Sequence, residues 1–310
     1  MAEWIFLVFG AVVLFSIVNL LNKHIISDEL TDPLAASVIH TVPYFIFFTI
    51  FTGFFGSFSI NPELAGILMF VGFIDMLASM LYFKSIKIGE VSKSVAIIHI
   101  SPIFVMLFGF VFLKEVLQTN VYLSLILIVA GAIILEYHST GKKLQKTATR
   151  SIRNIIRSDM VIILPFMIAI IHSIHVILIK DISFQIRAWD MFFWIGLGRL
   201  ISAGGVFYYH HPHIMKKFKK GVEHQFINGI LAAFAVLMVI TAYSMQSASI
   251  VSAFNAAQTL GILLIALALN KFRPRLVKEA LDRKSLVQKG IGISLILAGI
   301  LMVNLFSTAI

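Results

Sequence analysis

The sequence predicts an all-α membrane protein in which about ten transmembrane helices form two inverted five-helix repeats. Three observations carry that expectation. The 310 residues are 59% hydrophobic and only 13% charged. Apolar stretches of spanning length follow one another with short polar connectors. The second half of the chain then repeats the first in register.

A chain this apolar has too little polar surface to cover a water-soluble core. The formal charge of +10 does not point to nucleic acid, because the basic residues gather in connectors between apolar runs, as beside an anionic membrane surface. The absence of cysteine excludes disulfides, thiolate catalysis and cysteine metal ligands. The first apolar run starts after Met1-Ala2-Glu3, with no basic segment or small-x-small cleavage site, and reads as a retained first helix. Ala2 stands where myristoylation needs glycine, so no lipid anchor is expected.

The apolar stretches run Trp4 to Leu21, Leu34 to Phe55, Leu64 to Phe83, Val95 to Leu113 and Val121 to Tyr137, then Met160 to Ile179, Met191 to Tyr209, Phe226 to Met245, Ile250 to Leu269 and Val287 to Phe306. Each far exceeds the roughly ten residues of a membrane strand and lacks strict alternation, which predicts helices rather than a barrel. A basic linker over 138–158 separates a first unit, 1–137, from a second, 159–310.

An offset of 157 positions pairs Phe9 with Phe166, Ser16 with Ser173, Ile17 with Ile174 and Lys23 with Lys180. Three spans later the same offset sets SVAIIHISPIF opposite VSAFNAAQTLG, so that Ser101 faces Gln258 and Pro102 faces Thr259. After an insertion before span ten, Ala130-Gly131 of LILIVAGAIIL matches Ala298-Gly299 of ISLILAGILMV. Register held this far marks a repeat. An odd number of spans per unit inverts the second copy relative to the first, the arrangement of alternating-access carriers.

The segment YFKSIKIGEVSKSVAIIHISPIFVMLFGFVFLKE and the later LILIVAGAIIL resemble the EamA-type repeat of the drug/metabolite transporter superfamily. The features that carry the likeness are the small residues around Ser94, Pro102, the Leu113-Lys114-Glu115 ending and Ala130-Gly131. The resemblance implies ten helices, a central cavity and transport of small metabolites. The second copy departs from it, with Thr259 for the proline and Asn270-Lys271-Phe272-Arg273 where a glutamate is usual.

Charge at membrane depth costs about 2.5–3.5 kcal/mol on insertion scales, so ionisable residues there face a cavity or a partner. Asp75 and Arg199 stand near the middle of spans three and seven. They read either as a substrate or proton site, or as an ion pair locking two helices. Ser16, Asn19 and Lys23 share one face of span one, beside Asn22. Lys23 and Lys180 both lie near helix ends, where long side chains anchor at the interface.

His172 and His175 share a face of span six, and His99 precedes Ser101-Pro102 in the stretch that lines the cavity in the resembled family. These imidazoles suit hydrogen bonding or proton movement; without carboxylates at ligand spacing they do not make a metal site. Ser249, Ser252, Asn255 and Gln258-Thr259 form a polar stripe on span nine, with Thr241, Tyr243 and Gln246 on span eight and Ser79 and Tyr82 on span three. Such residues either line a pathway or bond helices together. The expected substrate pathway is a central cavity walled by Asn19, Asp75, His99, His172, His175, Tyr243, Asn255 and Gln258. Spans two, five, seven and ten read as more uniformly apolar, apart from His40, Glu136 and Arg199. The His210-His211-Pro212-His213 cluster reads as solvated connector.

No G-x-x-x-x-G-K-[ST] phosphate loop supplies nucleotide energy, and no G-x-S-x-G or H-E-x-x-H supplies intramembrane catalysis. The expected function is secondary transport of a small metabolite or drug-like solute by alternating access in the cell membrane. A non-transporting receptor or scaffold, or an intramembrane enzyme, is the alternative. Expected partners are the solute and membrane lipids, with Asp75 a candidate for proton coupling, and no nucleic acid, cofactor or metal. The connectors after spans five, seven and nine hold seventeen lysines and arginines, against Lys114, Lys180 and Arg187 on the other face. The positive-inside rule therefore sets both termini outside, whereas the resemblance implies termini inside; the charge asymmetry is the weightier of the two.

Overall fold

The computed structural model describes residues 3–30, 32–88, 91–136, 152–215, 221–272 and 283–307, and every regular element among them is helical. The first half contains α1 (Glu3–His24), a π-helical turn (Ile25–Glu29), α2 (Pro33–Phe55), α3 (Pro62–Ile88), α4 (Val91–Ile98), α5 (Ser101–Phe112) and α6 (Thr119–Glu136). The second contains α7 (Ile152–Ile182), α8 (Ala188–Met215), α9 (Val222–Met245), α10 (Ala248–Ala256), α11 (Gln258–Phe272) and α12 (Arg283–Ser307). Seven described segments are long and apolar enough to cross a membrane: Glu3–His24, Pro33–Phe55, Pro62–Ile88, Met160–Ile182, Ala188–His210, Val222–Met245 and Ala248–Ile265. Phe6 and Phe54 are 75% and 80% exposed, an arrangement suited to lipid rather than water.

Local chemistry sets the helix limits. Asp32 accepts from the amides of Leu34 and Ala35 at 2.9 and 3.1 Å, with Pro33 as the first helical residue of α2, so one side chain satisfies two amides that have no helical acceptor. Two expected single spans are broken. The stretch Val95 to Leu113 splits at His99-Ile100, where the Pro102 ring and its missing N–H cannot continue a preceding helix. The stretch Ile250 to Leu269 splits at Ala257, whose amide turns back to Phe254 at 3.0 Å. The basic linker also gives up its final residues to α7, and α8 continues through the histidine cluster to Met215. Residues 137–151 lie outside the described residues.

The break points and helix ends keep the sequence offset. Ile88, Val91 and Ser101, which end α3 and begin α4 and α5, lie 157 positions before Met245, Ala248 and Gln258, which end α9 and begin α10 and α11. Packing is reciprocal too. Helix α1 packs on α9 while α3 packs on α7, α2 packs on α9 while α3 packs on α8, and α6 pairs with α12.

Small residues bring the central helices together. A Cβ on Gly72 would lie 2.1 Å from the Ile195 carbonyl, and one on Gly198 would lie 2.0 Å from that of Met69. This backbone approach of α3 to α8 sets Asp75, one turn beyond Gly72, opposite Arg199, next to Gly198. Gly131 and Gly292 make the same close approach between α6 and α12.

Candidate functional site

A cavity of ≈ 260 Å³ lies among α1, α2, α3, the α4–α5 break, α7, α8, α9 and the α10–α11 break. Its wall includes Asn19, Asn22, His40, Tyr44, Asp75, Tyr82, His99, His172, His175, Arg199, Ser252, Asn255 and Gln258. The lining positions fall in the later parts of α1 and α3 and the earlier part of α2, so the cavity extends toward the face where α1 stops. Toward the face where α1 starts, Trp4, Tyr243, Val251 and Phe254 are buried, and Trp4 meets Phe254 edge to face at 5.4 Å.

Arg199 organises one wall. Its side chain is buried and pairs through Nη1 with Asp75 Oδ2. Nε donates to Thr41 Oγ1 at 3.2 Å, Nη2 lies 3.1 Å from His40 Nδ1, and the guanidinium carbon sits 4.6 Å from the Tyr44 ring centroid. A guanidinium only donates, so His40 Nδ1 accepts and that ring carries its proton on Nε2. The planar cation is thus held on its edges and on one face. Asp75 is 23% exposed in its side chain and presents the carboxylate to the cavity.

Around it stand hydrogen-bonding groups without fixed charge. Tyr82 donates to Asn19 Oδ1 at 2.8 Å, and Asn19 Nδ2 donates to Gln258 Oε1 at 3.2 Å, linking α3, α1 and α11. Asn228 donates to Asn22 at 2.7 Å. His172 and His175 stack with ring centroids 6.0 Å apart. His99 Nε2 and Asn255 Oδ1 are buried with no protein partner among the described residues. Both belong to cavity-lining residues at the two helix breaks, and an unpaired buried polar atom is costly unless a solute or water reaches it. Within the described residues no cluster of histidines and carboxylates suits a metal ion.

The structure gathers Asn19, Asp75, His99, His172, His175, Arg199, Asn255 and Gln258 around this one cavity. Tyr243 is a correction: it is buried outside the wall, 3.1 Å from Ser252 Oγ, because it lies two turns beyond Val236 on the same face of α9, in the last turn of that helix and past the end of the cavity. Spans two and seven are corrected as well, since His40, Tyr44 and Arg199 make them wall elements. The sequence signal for that was the pair of polar interruptions, His40 and Arg199, in otherwise apolar stretches. Lys180 is no interfacial anchor but is buried, with its ammonium on backbone carbonyls. The side chain of Glu136 lies outside the described residues.

Beyond the cavity, Glu115 caps α10. Its carboxylate accepts from the Ala248 amide at 2.9 Å, the Ser249 amide at 3.4 Å and Ser249 Oγ at 2.5 Å, placing negative charge at a helix N-terminus. The chain reaches this position through Lys114, whose φ of 53° turns the backbone sharply after α5.

Comparison with known proteins places this geometry. No curated protein sequence matches the chain. Among the solved structures that match, a protein of known crystal structure shares the fold with a TM-score of 0.70 over 97% of this chain and 95% of its own at 13% identity. Residues 2–137 match the model of the EamA-like transporter family.

Proposed function

We infer, from a chain whose residues 2–137 match the model of the EamA-like transporter family, that the whole protein is a secondary carrier moving a small solute by alternating access. The observation that carries this reading is the cavity lined by polar side chains and walled by helices of both halves and by both broken helices. Discontinuous helices at a repeat interface are where carriers hold their solutes. The ten-span reading counts α4 with α5 and α10 with α11 as single interrupted spans. Two units, 1–137 and 159–310, are then inverted copies joined by the 138–158 linker, an arrangement supported by the shared offset of helix ends and the exchanged packing of α1 on α9 and α3 on α7.

The pathway residues in this reading are Asn19, Asp75, His99, His172, His175, Asn255 and Gln258. The fixed charges of the wall, Asp75 and Arg199, neutralise one another, which favours a solute of no net charge that exchanges hydrogen bonds with imidazoles, amides and hydroxyls. Asp75 is the coupling residue in a proton-driven cycle, since it is the carboxylate that meets both the cavity and a buried cation. The basic connectors face the cytoplasm of a cell membrane, with both termini outside. Uptake or efflux in sealed vesicles tests the reading: solute movement dependent on the protein supports it, and binding without movement assigns a receptor instead.

A further inference from the structure

Lys180 and Lys23 occupy matching places near the ends of α7 and α1, and their environments differ. Lys180 is 7% exposed. Its ammonium donates to the Tyr243 carbonyl at 2.7 Å and the Gln246 carbonyl at 3.0 Å and lies 4.8 Å from the Phe184 ring centroid. The final carbonyls of α9 have no helical donor and carry the negative end of the helix dipole, so a buried cation there holds the end of α9 in place. Across the same turn Glu115 holds the first amides of α10. Lys23, by contrast, is exposed. The position that matches Tyr243 through the offset is Ile86, in the last turn of α3.

We propose that the two lysines are alternating latches: Lys180 keeps the face where α1 starts shut in this conformation, and in the opposite conformation it releases α9 while Lys23 folds onto the Ile86 carbonyl. The proposal rests on the carrier reading above. Inverted copies exchange shapes during the cycle, so a contact made by one copy is made by its counterpart in the other state.

The chain has no cysteine, which allows a single reporter, Val236→Cys, on the cavity wall. The experiment labels that thiol with a membrane-impermeant maleimide from each face of sealed vesicles of known sidedness. Lys180→Met should raise labelling from the face where α1 starts by about tenfold, the scale of one charge-assisted hydrogen bond lost, and Lys180→Arg should restore the original ratio. Lys23→Met should lower it. Lys23 is solvent-exposed here, so that variant tests the latch even if Lys180→Met folds poorly. Labelling from both faces in the parent, with the two methionine variants shifting it in the same direction or not at all, overturns the latch alone. Labelling from one face only, in the parent and in both variants, overturns the latch together with the carrier reading.

Discussion

Ser16 and Ser173 make the same pair of contacts in the two halves of the chain. Ser16 Oγ shares its proton between the carbonyls of Val12, at 2.6 Å, and Gln258, at 3.0 Å. Ser173 Oγ does so between Ala169, at 2.7 Å, and Ser101, at 3.0 Å. Each serine ties its own helix to the residue that restarts the broken helix in the other half, Gln258 opening α11 and Ser101 opening α5, and so fixes where the break sits. Ser16→Ala and Ser173→Ala are therefore expected to lower stability by similar amounts, about 1 kcal/mol each. Denaturant titration of the purified protein in detergent checks this, and a loss confined to one variant would break the equivalence.

Arg199 and Asp75 should respond unequally to substitution. Arg199→Met strips the counter-charge from Asp75 and the donors from Thr41 and His40, and removal of one partner of a buried pair costs about 3–5 kcal/mol. Asp75→Asn also removes a counter-charge but leaves an oxygen to accept from Arg199, whose Thr41, His40 and Tyr44 contacts persist, so it should lose less stability and still fold and insert. It removes the exchangeable charge, so solute movement driven by a pH gradient is expected to vanish. Thermal unfolding read beside gradient-driven flux separates the two effects; normal gradient-driven flux in Asp75→Asn would remove Asp75 from the coupling role.

The close approach of α3 and α8 predicts a contrast between glycines on one helix. Gly198→Ala would push a methyl into the Met69 backbone, separating the helices that hold the ion pair and costing about 3 kcal/mol or more. At Gly204 and Gly205 an added Cβ would meet nothing within 4 Å, so Gly204→Ala should be neutral or slightly stabilising through helix propensity. Melting temperatures of the two variants decide the matter; equal losses would mean that the contact is not what positions Arg199.

Orientation gives a fourth expectation. With the basic connectors after spans five, seven and nine in the cytoplasm, a reporter fused after Ile310 should be silent when it is active only in the cytoplasm. Activity at that fusion would invert the assignment.

Much of the fold was legible in the sequence because lipid imposes a simple rule: every spanning backbone must satisfy itself, so apolar length reads directly as helix. The cavity residues were legible for the same reason, since Asn19, Asp75, His172 and Gln258 are conspicuous interruptions of apolar helices. The helix break at Ala257 was not, because no proline marks it. Tyr243 shares the face of α9 that carries the cavity-lining Val236 but lies two turns beyond it, and sequence spacing gives the face of a helix without saying how far along it the cavity reaches. Lys180 resembled an interfacial anchor because burial against the end of α9 depends on where another helix stops.

The central claim is that solute crosses through the Asp75-lined cavity, and filling that cavity tests it most directly. A Val236→Cys variant in sealed proteoliposomes offers the single thiol of the chain on the wall of a ≈ 260 Å³ space, and flux of a labelled pool of neutral polar metabolites is followed before and after reaction with a bulky, disulfide-forming thiol reagent. Protein-dependent flux is expected to stop when the thiol is modified and to return when the adduct is reduced away. Flux that persists with the cavity filled, or no flux from any member of the pool, would contradict the claim.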